Sequence, residues 1–285
     1  MSKRVQERPA KNSGRGHSSY DIVGDIAIIR PAERGKCDEN VGRAIMTLHK
    51  EVKTVLTQMS AVGGEFRLRK LKFIAGEKKT KTVHKESGCL FNVDVEECYF
   101  SPRLSYERNR IASVVEKGEI VVNMFAGVGC FSIIIAKHAR VDRVFSIDVN
   151  PVAVEYMQKN IRLNRVYGNV IPILGDAAKI IQEKLCRVAD RVLMPLPEKA
   201  LEYLPCALLA LKESGGWIHY YDFIHAAKGE DPVEKVESKV RQRLRTLGVV
   251  FEISFGRIVR KTGPNWYQIV LDIKVKPLQA KRASS

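Results

Sequence analysis

Two closely spaced glycines after an apolar run are the first residues whose types and spacing predict ligand binding. Gly127 and Gly129 follow the run 121–126, and Cys130-Phe131 opens a new apolar segment. A strand that enters a glycine turn and then a helix lets the backbone turn sharply, and the helix-start amides then face a bound ligand. The third glycine of the dinucleotide-binding fingerprint is absent, because Ser132 stands at its place.

Acidic residues end the next two predicted strands. Asp148 closes the segment Ser146-Ile147-Asp148, and Asp176 follows Gly175. At the carboxyl ends of parallel strands, Asp148 is placed to bind both ribose hydroxyls of an adenosine, and Asp176 to bind the adenine amino group. An ordinary helix cap is the alternative role for Asp148. The set resembles class I S-adenosylmethionine-dependent methyltransferases more than nicotinamide enzymes.

Alternating strands and helices must position these residues. The pattern predicts an α/β fold, with a mostly parallel, doubly wound Rossmann-like sheet and an antiparallel edge at the C-terminus. Asn150 and Pro151 are typical of a helix start. Strands are predicted at 120–124, 143–147, 170–174, 191–194, 217–223, 249–259 and 266–275, and helices at 131–138, 151–163 and 232–247.

The N-terminal third has a different organisation. Residues 1–19 are polar and basic and predict a flexible arm, which either contacts RNA phosphates or has no role. Residues 20–98 predict a small α+β domain that binds RNA and positions the target, and 99–285 the methyltransferase domain with a linking helix over 101–117. Within the small domain we expect strands at 21–29, 66–71, 81–84 and 89–95 and a helix over 38–59.

Basic residues are interleaved between Arg67 and Lys85, which predicts a basic sheet or groove; a solvated hairpin is the alternative. The whole chain has 48 Lys and Arg against 32 Asp and Glu, a formal net charge of +16. So basic a protein usually meets a polyanion, first of all nucleic acid, and a generic basic surface is the alternative.

Other features exclude several classes of protein. The six cysteines form no CxxC pair, so we expect no zinc ribbon and no metal site. No apolar run is long enough to cross a membrane, and the basic N-terminus is no secretory signal. We therefore expect a cytoplasmic protein without a membrane partner, and a monomer.

Further segments, taken together, resemble the archaeal and eukaryotic tRNA (guanine-N1)-methyltransferases that modify guanosine 37 in the anticodon loop. The resemblance implies S-adenosyl-L-methionine as cofactor, tRNA as partner, and a small domain preceding the methyltransferase domain. Many members carry an extra N-terminal domain that recognises the tRNA elbow, and we expect this chain to lack it. The matching segments are YDIVGDIAII (20–29), HKESG (84–88), YFSPRLSYERNRI (99–111), NMFAGVGCFS (123–132), IDVNP (147–151), MPLPEKA (194–200) and GGWIHYY (215–221).

The resemblance also implies roles for individual residues. Arg67 would contact guanine O6, Glu107 would remove the N1 proton, and Arg108 would help to hold the cofactor. Guanine N1 carries a proton, so methylation at N1 needs a base that removes it. A hydrogen-bond donor at O6 stabilises the negative charge that develops on the ring. The alternative is that Glu107 is a helix-surface ion-pair residue. The full predicted cofactor site is Arg108, Phe125, Gly127, Gly129, Asp148, Val149, Asp176, Ala177 and Pro195, and the predicted catalytic residues are Glu107, Arg67 and Pro195.

Pro195 departs from the family pattern, because many members have Asn at this position. Proline has neither a side-chain amide nor an N–H, so only backbone carbonyls here could contact the target base.

Two other functions remain open. One is the aminocarboxypropyl transfer of wybutosine synthesis, against which Arg103-Leu104 and Leu196-Pro197 count. The other is an RNA-binding protein with an inactive methyltransferase fold, which the intact loop and both aspartates disfavour.

Overall fold

The computed structural model describes residues 19–30 and 39–277. The predicted arm therefore lies outside the described residues, except for Ser19, which begins the first strand. A four-stranded sheet in the order β1-β2-β3-β4 forms the start of the described chain. Its elements are β1 (Ser19–Val23), β2 (Ile26–Arg30), α1 (Glu39–Leu48), β3 (Thr54–Gln58) and β4 (Leu71–Gly76).

Three sequence predictions in this region are wrong. The single strand expected at 21–29 is a hairpin, because Gly24 takes a left-handed φ of 57° and turns the chain between β1 and β2. The helix expected over 38–59 ends at Leu48, and β3 begins at Thr54. Val52 and Val55 continue the helical spacing by coincidence, because Val55 is buried within β3 and Val52 is buried just before it. The strand expected at 66–71 is a turn segment that leads into β4.

A two-stranded hairpin of β5 (Lys81–Glu86) and β6 (Cys89–Asp94) follows. Two asparagines hold one edge of this hairpin: Asn160 in helix α4 (Pro151–Leu163) and Asn164, the residue that caps its C-terminus. Asn160 accepts from the amide of Asn92 at 2.7 Å, and Asn164 accepts from the amide of Leu90 at 2.9 Å. The Asn164 side chain also donates to the Leu90 carbonyl at 2.7 Å. These side chains satisfy the free strand edge and fix the hairpin to the methyltransferase domain.

The remaining elements confirm the predicted α/β fold. The chain runs through a short 3-10 turn at Pro102–Leu104 and then through α2 (Ser105–Val114), β7 (Ile120–Asn123), α3 (Cys130–His138), β8 (Arg143–Asp148), α4, β9 (Val170–Leu174), α5 (Ala177–Lys184), β10 (Arg191–Met194), α6 (Ala200–Ala210), β11 (Gly216–His225), α7 (Pro232–Thr246), β12 (Phe251–Gly263) and β13 (Trp266–Val275).

The large sheet has seven strands in the order β12-β13-β11-β10-β7-β8-β9. Strands β7 to β11 are parallel, and β13 and β12 add the expected antiparallel edge. From β7 the chain first builds outward through β8 and β9 and then returns to the other side of β7 with β10. The strand order reverses there, and ligands of open α/β sheets bind at such a point, beyond the carboxyl ends of the strands.

A buried apolar cluster joins the two sheets. Val23 and Ile26 of the small sheet and Phe91 of the hairpin are buried in one cluster with Ile133 and Ile134 of α3. The continuity of this core holds the small domain against the methyltransferase domain. The predicted domain boundary at residue 98 stays a prediction.

Candidate active site

The glycine turn and the first strand-end carboxylate bind to each other. Gly127 and Gly129 have left-handed φ values of 56° and 92°. Asp148 accepts a 2.6 Å hydrogen bond from the amide of Gly127 and a 2.9 Å bond from the amide of Asn150, one on each carboxyl oxygen. Each oxygen keeps a further acceptor site, which two vicinal hydroxyls of a ribose would fill.

Gly129 has a packing role in the same loop. A Cβ on Gly129 would lie 2.9 Å from Cγ of Met157 in α4, and the left-handed φ adds strain for any other residue. Gly129 is the residue before α3, whose first turn has no side-chain cap. Its place explains why the sequence needs glycine there, although Gly129 itself does not line the cavity described below.

Burial raises the pKa of Asp148, because it disfavours the charged carboxylate more than the backbone hydrogen bonds favour it. Asn150 in turn caps α4, accepting from the amides of Val152 and Ala153. Asp148 is therefore not the cap of α4, and the alternative role considered for it from the sequence is wrong.

Asp176 is the N-cap of α5 and accepts a 3.0 Å bond from the amide of Lys179. Its other oxygen accepts a 2.6 Å bond from the hydroxyl of Tyr203 in α6. Burial acts to raise the pKa of Asp176, but the hydrogen bonds from Tyr203 and from backbone amides outweigh it and hold the pKa below the usual value.

Sequence analysis missed Tyr203. It lies on a mainly apolar helix, where a tyrosine is typical of a half-buried packing residue. In the structure its ring meets Phe125 edge to face, with the centroids 5.2 Å apart. Tyr203 therefore joins Asp176, the predicted adenine-binding carboxylate, to Phe125, another residue of the predicted cofactor site.

One cavity, open to solvent, brings most of the predicted site together. Its predicted wall residues are Arg67, Phe125, Gly127, Asp148, Val149, Asp176, Ala177 and Pro195. Its further wall residues include Tyr99, Leu196, Lys199 and Tyr203, which the sequence did not single out for this site. We call it the cofactor cavity.

Arg67 reaches the cofactor cavity from the small domain. Its backbone has a left-handed φ of 55°, in the turn before β4. The guanidinium lies over the ring of Tyr99, 4.1 Å from the centroid, and pairs with Glu198 at 2.9 Å. Its Nε is buried without a hydrogen-bond partner. An orphaned buried donor beside an open cavity is suited to a ligand acceptor such as a carbonyl oxygen.

Pro195 follows β10 and lines the same cavity. The amide of Leu196 donates to the carbonyl of Met194 at 2.8 Å, which closes a three-residue turn around the proline. Pro195 thus contributes ring surface and a carbonyl to the wall, but no donor.

Glu107 and Arg108 are not in the wall of the cofactor cavity. Glu107 is only 1% exposed. It accepts bonds from Arg110 at 2.7 Å, from Arg257 at 3.0 Å and from the Tyr221 hydroxyl at 2.8 Å. Its predicted role as a proton acceptor stays a prediction, and the expectation of a surface ion pair is wrong, because the residue is buried.

The structure directs Arg108 into the core. Its guanidinium pairs with the buried Glu86 at 2.6 Å, donates to the carbonyl of Ser101 at 2.9 Å, and lies near the rings of Phe100 and Phe131. Through its pair with Glu86, Arg108 connects α2 with the β5–β6 hairpin. These contacts do not place it against the cofactor cavity, so its predicted cofactor contact is not seen in this arrangement.

No described helix is both long and apolar enough to cross a membrane. Over residues 19–30 and 39–277, no three His, Cys, Asp or Glu side chains are grouped as ligands of a metal ion.

A Rossmann-like sheet with a glycine turn and two strand-end aspartates around one cavity defines a class I methyltransferase fold. Comparison with known families agrees. The TRM5/TYW2 methyltransferase domain matches residues 82–248, and the TYW2 N-terminal domain matches residues 5–80. The chain belongs to the TRM5/TYW2 methyltransferase family, as its motifs predicted.

Individual relatives extend over most of the chain. The tRNA (guanine(37)-N(1))-methyltransferase Trm5b of Pyrococcus abyssi is 43% identical over 90% of this chain and 75% of its own. Its crystal structure superposes with a TM-score of 0.79 at 42% identity, over 90% of this chain and 75% of that one. The tRNA 4-demethylwyosine(37)-methyltransferase Taw21 of Saccharolobus solfataricus is 41% identical over 89% of this chain and 92% of its own. M. jannaschii TYW2, solved in complex with AdoMet, has a TM-score of 0.69 at 28% identity, over 91% of this chain and all (100%) of that one.

Proposed function

We propose that this chain transfers a methyl group from S-adenosylmethionine to N1 of guanosine 37 in tRNA. The observation that carries the proposal is the cofactor cavity, in which both strand-end aspartates and the glycine turn face Arg67 of the small domain. The named activity of the Pyrococcus abyssi relative supports the same assignment.

The residues of the cavity fit the proposed cofactor. Asp148 keeps two acceptor positions for the ribose hydroxyls, and Asp176 with Tyr203 forms the polar wall expected beside the adenine. Phe125 and Met124 supply apolar surface for the rest of the molecule. When bound, the cofactor supplies an electrophilic methyl group.

The target base needs a donor at O6 and an acceptor for the N1 proton. The free Nε of Arg67 suits the first task. We assign the second to Glu107, whose carboxylate is bonded to Arg110, Arg257 and Tyr221 in the described conformation. This role requires Glu107 to exchange at least one of those partners when RNA binds.

The test is mass spectrometry of position 37 after reaction with unmodified tRNA and S-adenosylmethionine. We expect N1-methylguanosine. A heavier aminocarboxypropyl adduct would instead assign the chain to the other transferase activity considered above, and no adduct with intact tRNA binding would favour an inactive RNA-binding protein.

Pro195 favours a second candidate substrate, 4-demethylwyosine at the same position. In that base a third ring is built on N1 and N2 of guanine, so neither atom offers the protons that a guanine site must bind or remove. A loop without a side-chain amide and a cavity wall without Glu107 both suit such a base. Taw21 of Saccharolobus solfataricus, named for this substrate, is matched over 92% of its length.

Parallel single-turnover reactions on tRNA with guanosine 37 and with 4-demethylwyosine 37 distinguish the two candidates. We expect methylation of guanosine, and Pro195→Asn should raise that rate relative to the rate on the tricyclic base. Methylation of the tricyclic base alone would replace the first proposal with the second.

We further propose that the RNA partner is the anticodon loop and that the protein acts in the cytoplasm.

A further inference from the structure

A second cavity adjoins the cofactor cavity and shares Arg67 and Tyr99 with it. We call it the cationic cavity, because its wall contains Arg30, Arg69, Arg103, Arg260 and Lys261 in addition to Arg67. It lies between the small sheet and the β12 edge of the large sheet. Among the residues that the structure describes, the carboxylates in its wall are those of Asp21 and Glu198.

These two carboxylates are already occupied. Asp21 pairs with Arg30 and, at 2.5 Å, with Arg103. Glu198 pairs with Arg67 at 2.9 Å. Within the described part of the chain, two acidic groups therefore face six basic ones in a partly buried space. An excess of cationic charge in such a space is costly unless an anion binds there.

Among the described residues, the hydrogen-bond partners of Arg260 are all neutral. Its guanidinium donates to Gln268 at 2.7 Å, to the hydroxyl of Ser101 at 2.9 Å and to the hydroxyl of Tyr99 at 3.3 Å. These contacts hold the planar group still at the cavity wall. They do not neutralise its charge.

Arg69 is the second guanidinium of this wall that pairs with no carboxylate in the part of the chain that the structure describes. There it donates a long hydrogen bond of 3.4 Å to the side-chain oxygen of Gln58. Burial lowers its pKa, and the neighbouring positive charge of Arg30 lowers it further. Asp21 and Tyr99 act in the opposite direction but do not outweigh these two effects, and the Asp21 carboxylate is already paired with Arg30 and Arg103.

The basic stretch from Arg67 to Lys85 does not form one surface. Arg67 and Arg69 line the cationic cavity, whereas Lys79, Lys81 and Lys85 line a separate groove with Asp25 and Glu51. Arg67 also lines the cofactor cavity, and Arg69 lies in the wall of the cavity that adjoins it, whereas Lys79, Lys81 and Lys85 line neither. Among the basic side chains of the stretch, Arg67 and Arg69 are thus the ones placed to act on a nucleotide that enters that cavity.

We propose that the cationic cavity binds the RNA phosphodiester backbone beside the target nucleotide, with Arg69 and Arg260 each donating to phosphate oxygens. This inference rests on the proposed function for the identity of the base. A guanidinium suits the task, because its planar donors match two oxygens of one phosphate. Holding the backbone there directs the attached base past Tyr99 into the cofactor cavity.

The first experiment measures RNA affinity against salt concentration without cofactor, using an anticodon stem-loop that carries guanosine 37. Arg69→Gln and Arg260→Gln should each reduce the slope of log affinity against log salt by about 0.7 for one lost phosphate contact on a single strand. Arg187→Gln is the matched control, since Arg187 is exposed, pairs with Glu213 and lies outside the cavity wall. Calorimetric affinity for S-adenosylmethionine, unchanged in both variants, shows that they are folded.

The second experiment changes the RNA first and locates the contacted phosphates with the unchanged protein; the protein variants then identify the residues that contact them. Single neutral methylphosphonate linkages placed around nucleotide 37 should weaken binding to the unchanged protein at one or two positions. At those positions Arg69→Gln or Arg260→Gln should add little to the loss. Independent, fully additive losses at every position, or no sensitive linkage beside nucleotide 37, would overturn the proposal.

Failure of the proposed function gives a different result. If the chain binds the stem-loop through these linkages but forms no methylated product, the phosphate site stands and the assigned activity fails. If it methylates guanosine 37 with unchanged KM for RNA in both variants, the activity stands and the phosphate site fails.

Discussion

The hydroxyl of Tyr203 donates a 2.6 Å hydrogen bond to the carboxylate of Asp176. This bond connects α6 with the loop after β9, two elements on opposite sides of the strand-order reversal. It fixes one oxygen of Asp176 while the amide of Lys179 holds the other. The wall expected to receive the adenine is thereby held rigid before the cofactor binds, which lowers the entropy cost of binding.

Tyr203→Phe removes the donor and leaves the ring against Phe125. We expect affinity for S-adenosylmethionine to fall about fivefold, from a net loss of about 1 kcal/mol for one hydrogen bond. The pKa of Asp176 should rise towards its ordinary value, because the Tyr203 bond is among the causes that lower it. Calorimetry checks the affinity, with the exposed Tyr167 changed to Phe as control. Equal affinities in the two variants would contradict the assigned role.

Asp148→Ala should weaken cofactor binding by at least tenfold. It removes two charge-assisted hydrogen bonds to the ribose, each worth about 1.5–3 kcal/mol. It also leaves the amides of Gly127 and Asn150 without their acceptor. Calorimetry on this variant and on Asp142→Ala, an exposed aspartate, provides the measurement and its control. Unchanged affinity in Asp148→Ala would place the ribose elsewhere.

Cofactor binding should also depend on pH through Asp148. Burial raises its pKa, so its carboxylate becomes protonated at a higher pH than an ordinary aspartate. Because the ionised form accepts both ribose hydroxyls, affinity should fall as the pH is lowered through that raised pKa. Titration calorimetry from pH 7 downward checks this; an affinity that stays constant until the fold is lost would contradict it.

The methyltransferase domain could be predicted from the sequence because local signals and tertiary structure agree there. Asn150 and Pro151 start α4 where capping chemistry requires, and the predicted bounds of β9 and β10 match the structure. In the small domain, tertiary pairing overrides local spacing, so the residues around Val52 are not helical.

Partners distant in sequence could not be predicted. Arg257 and Tyr221 contact Glu107 from strands far along the chain, and no local sequence pattern predicts such a contact. The same holds for Tyr203, whose bond to Asp176 depends on how α6 packs beside α5. The family resemblance identified Glu107 and Arg67 as candidates. The structure then shows that Arg67 lines the cofactor cavity and that Glu107 does not.

A buried ionic network behind the site should govern acid stability. Asp272 accepts from His219 at 2.6 Å and from Arg110 at 2.6 Å. Burial acts to raise the pKa of Asp272, but His219 and Arg110 outweigh it and hold the pKa far below the usual value. Since Arg191 donates to Nε2 of His219, the ring carries its proton on Nδ1 and donates it to Asp272.

Asp272→Asn should lower the free energy of unfolding at pH 7 by about 3–5 kcal/mol, the cost of removing one partner from a buried ion pair. Because the folded-state pKa lies below the unfolded value of about 3.9, this contribution is complete above that value and is lost as the pH falls towards the folded-state pKa. Urea unfolding should therefore show the gap between wild type and variant narrowing below about pH 4. A gap that is the same at pH 7 and pH 3, with Asp142→Asn as the exposed control, would contradict the linkage.

Glu107→Gln tests the proposed proton acceptor. If Glu107 removes the N1 proton, single-turnover methylation of guanosine 37 should slow by about 10²–10⁴-fold while tRNA affinity changes little. The same change leaves the guanidinium groups of Arg110 and Arg257 with less negative charge, so the variant should also unfold more easily. Tyr221→Phe separates the two effects, because it removes a neutral donor to Glu107 and keeps the carboxylate. We expect Tyr221→Phe to lose stability and to keep most of the rate. Equal rates for Glu107→Gln and wild type, measured on folded and cofactor-bound protein, would show that another group accepts the proton.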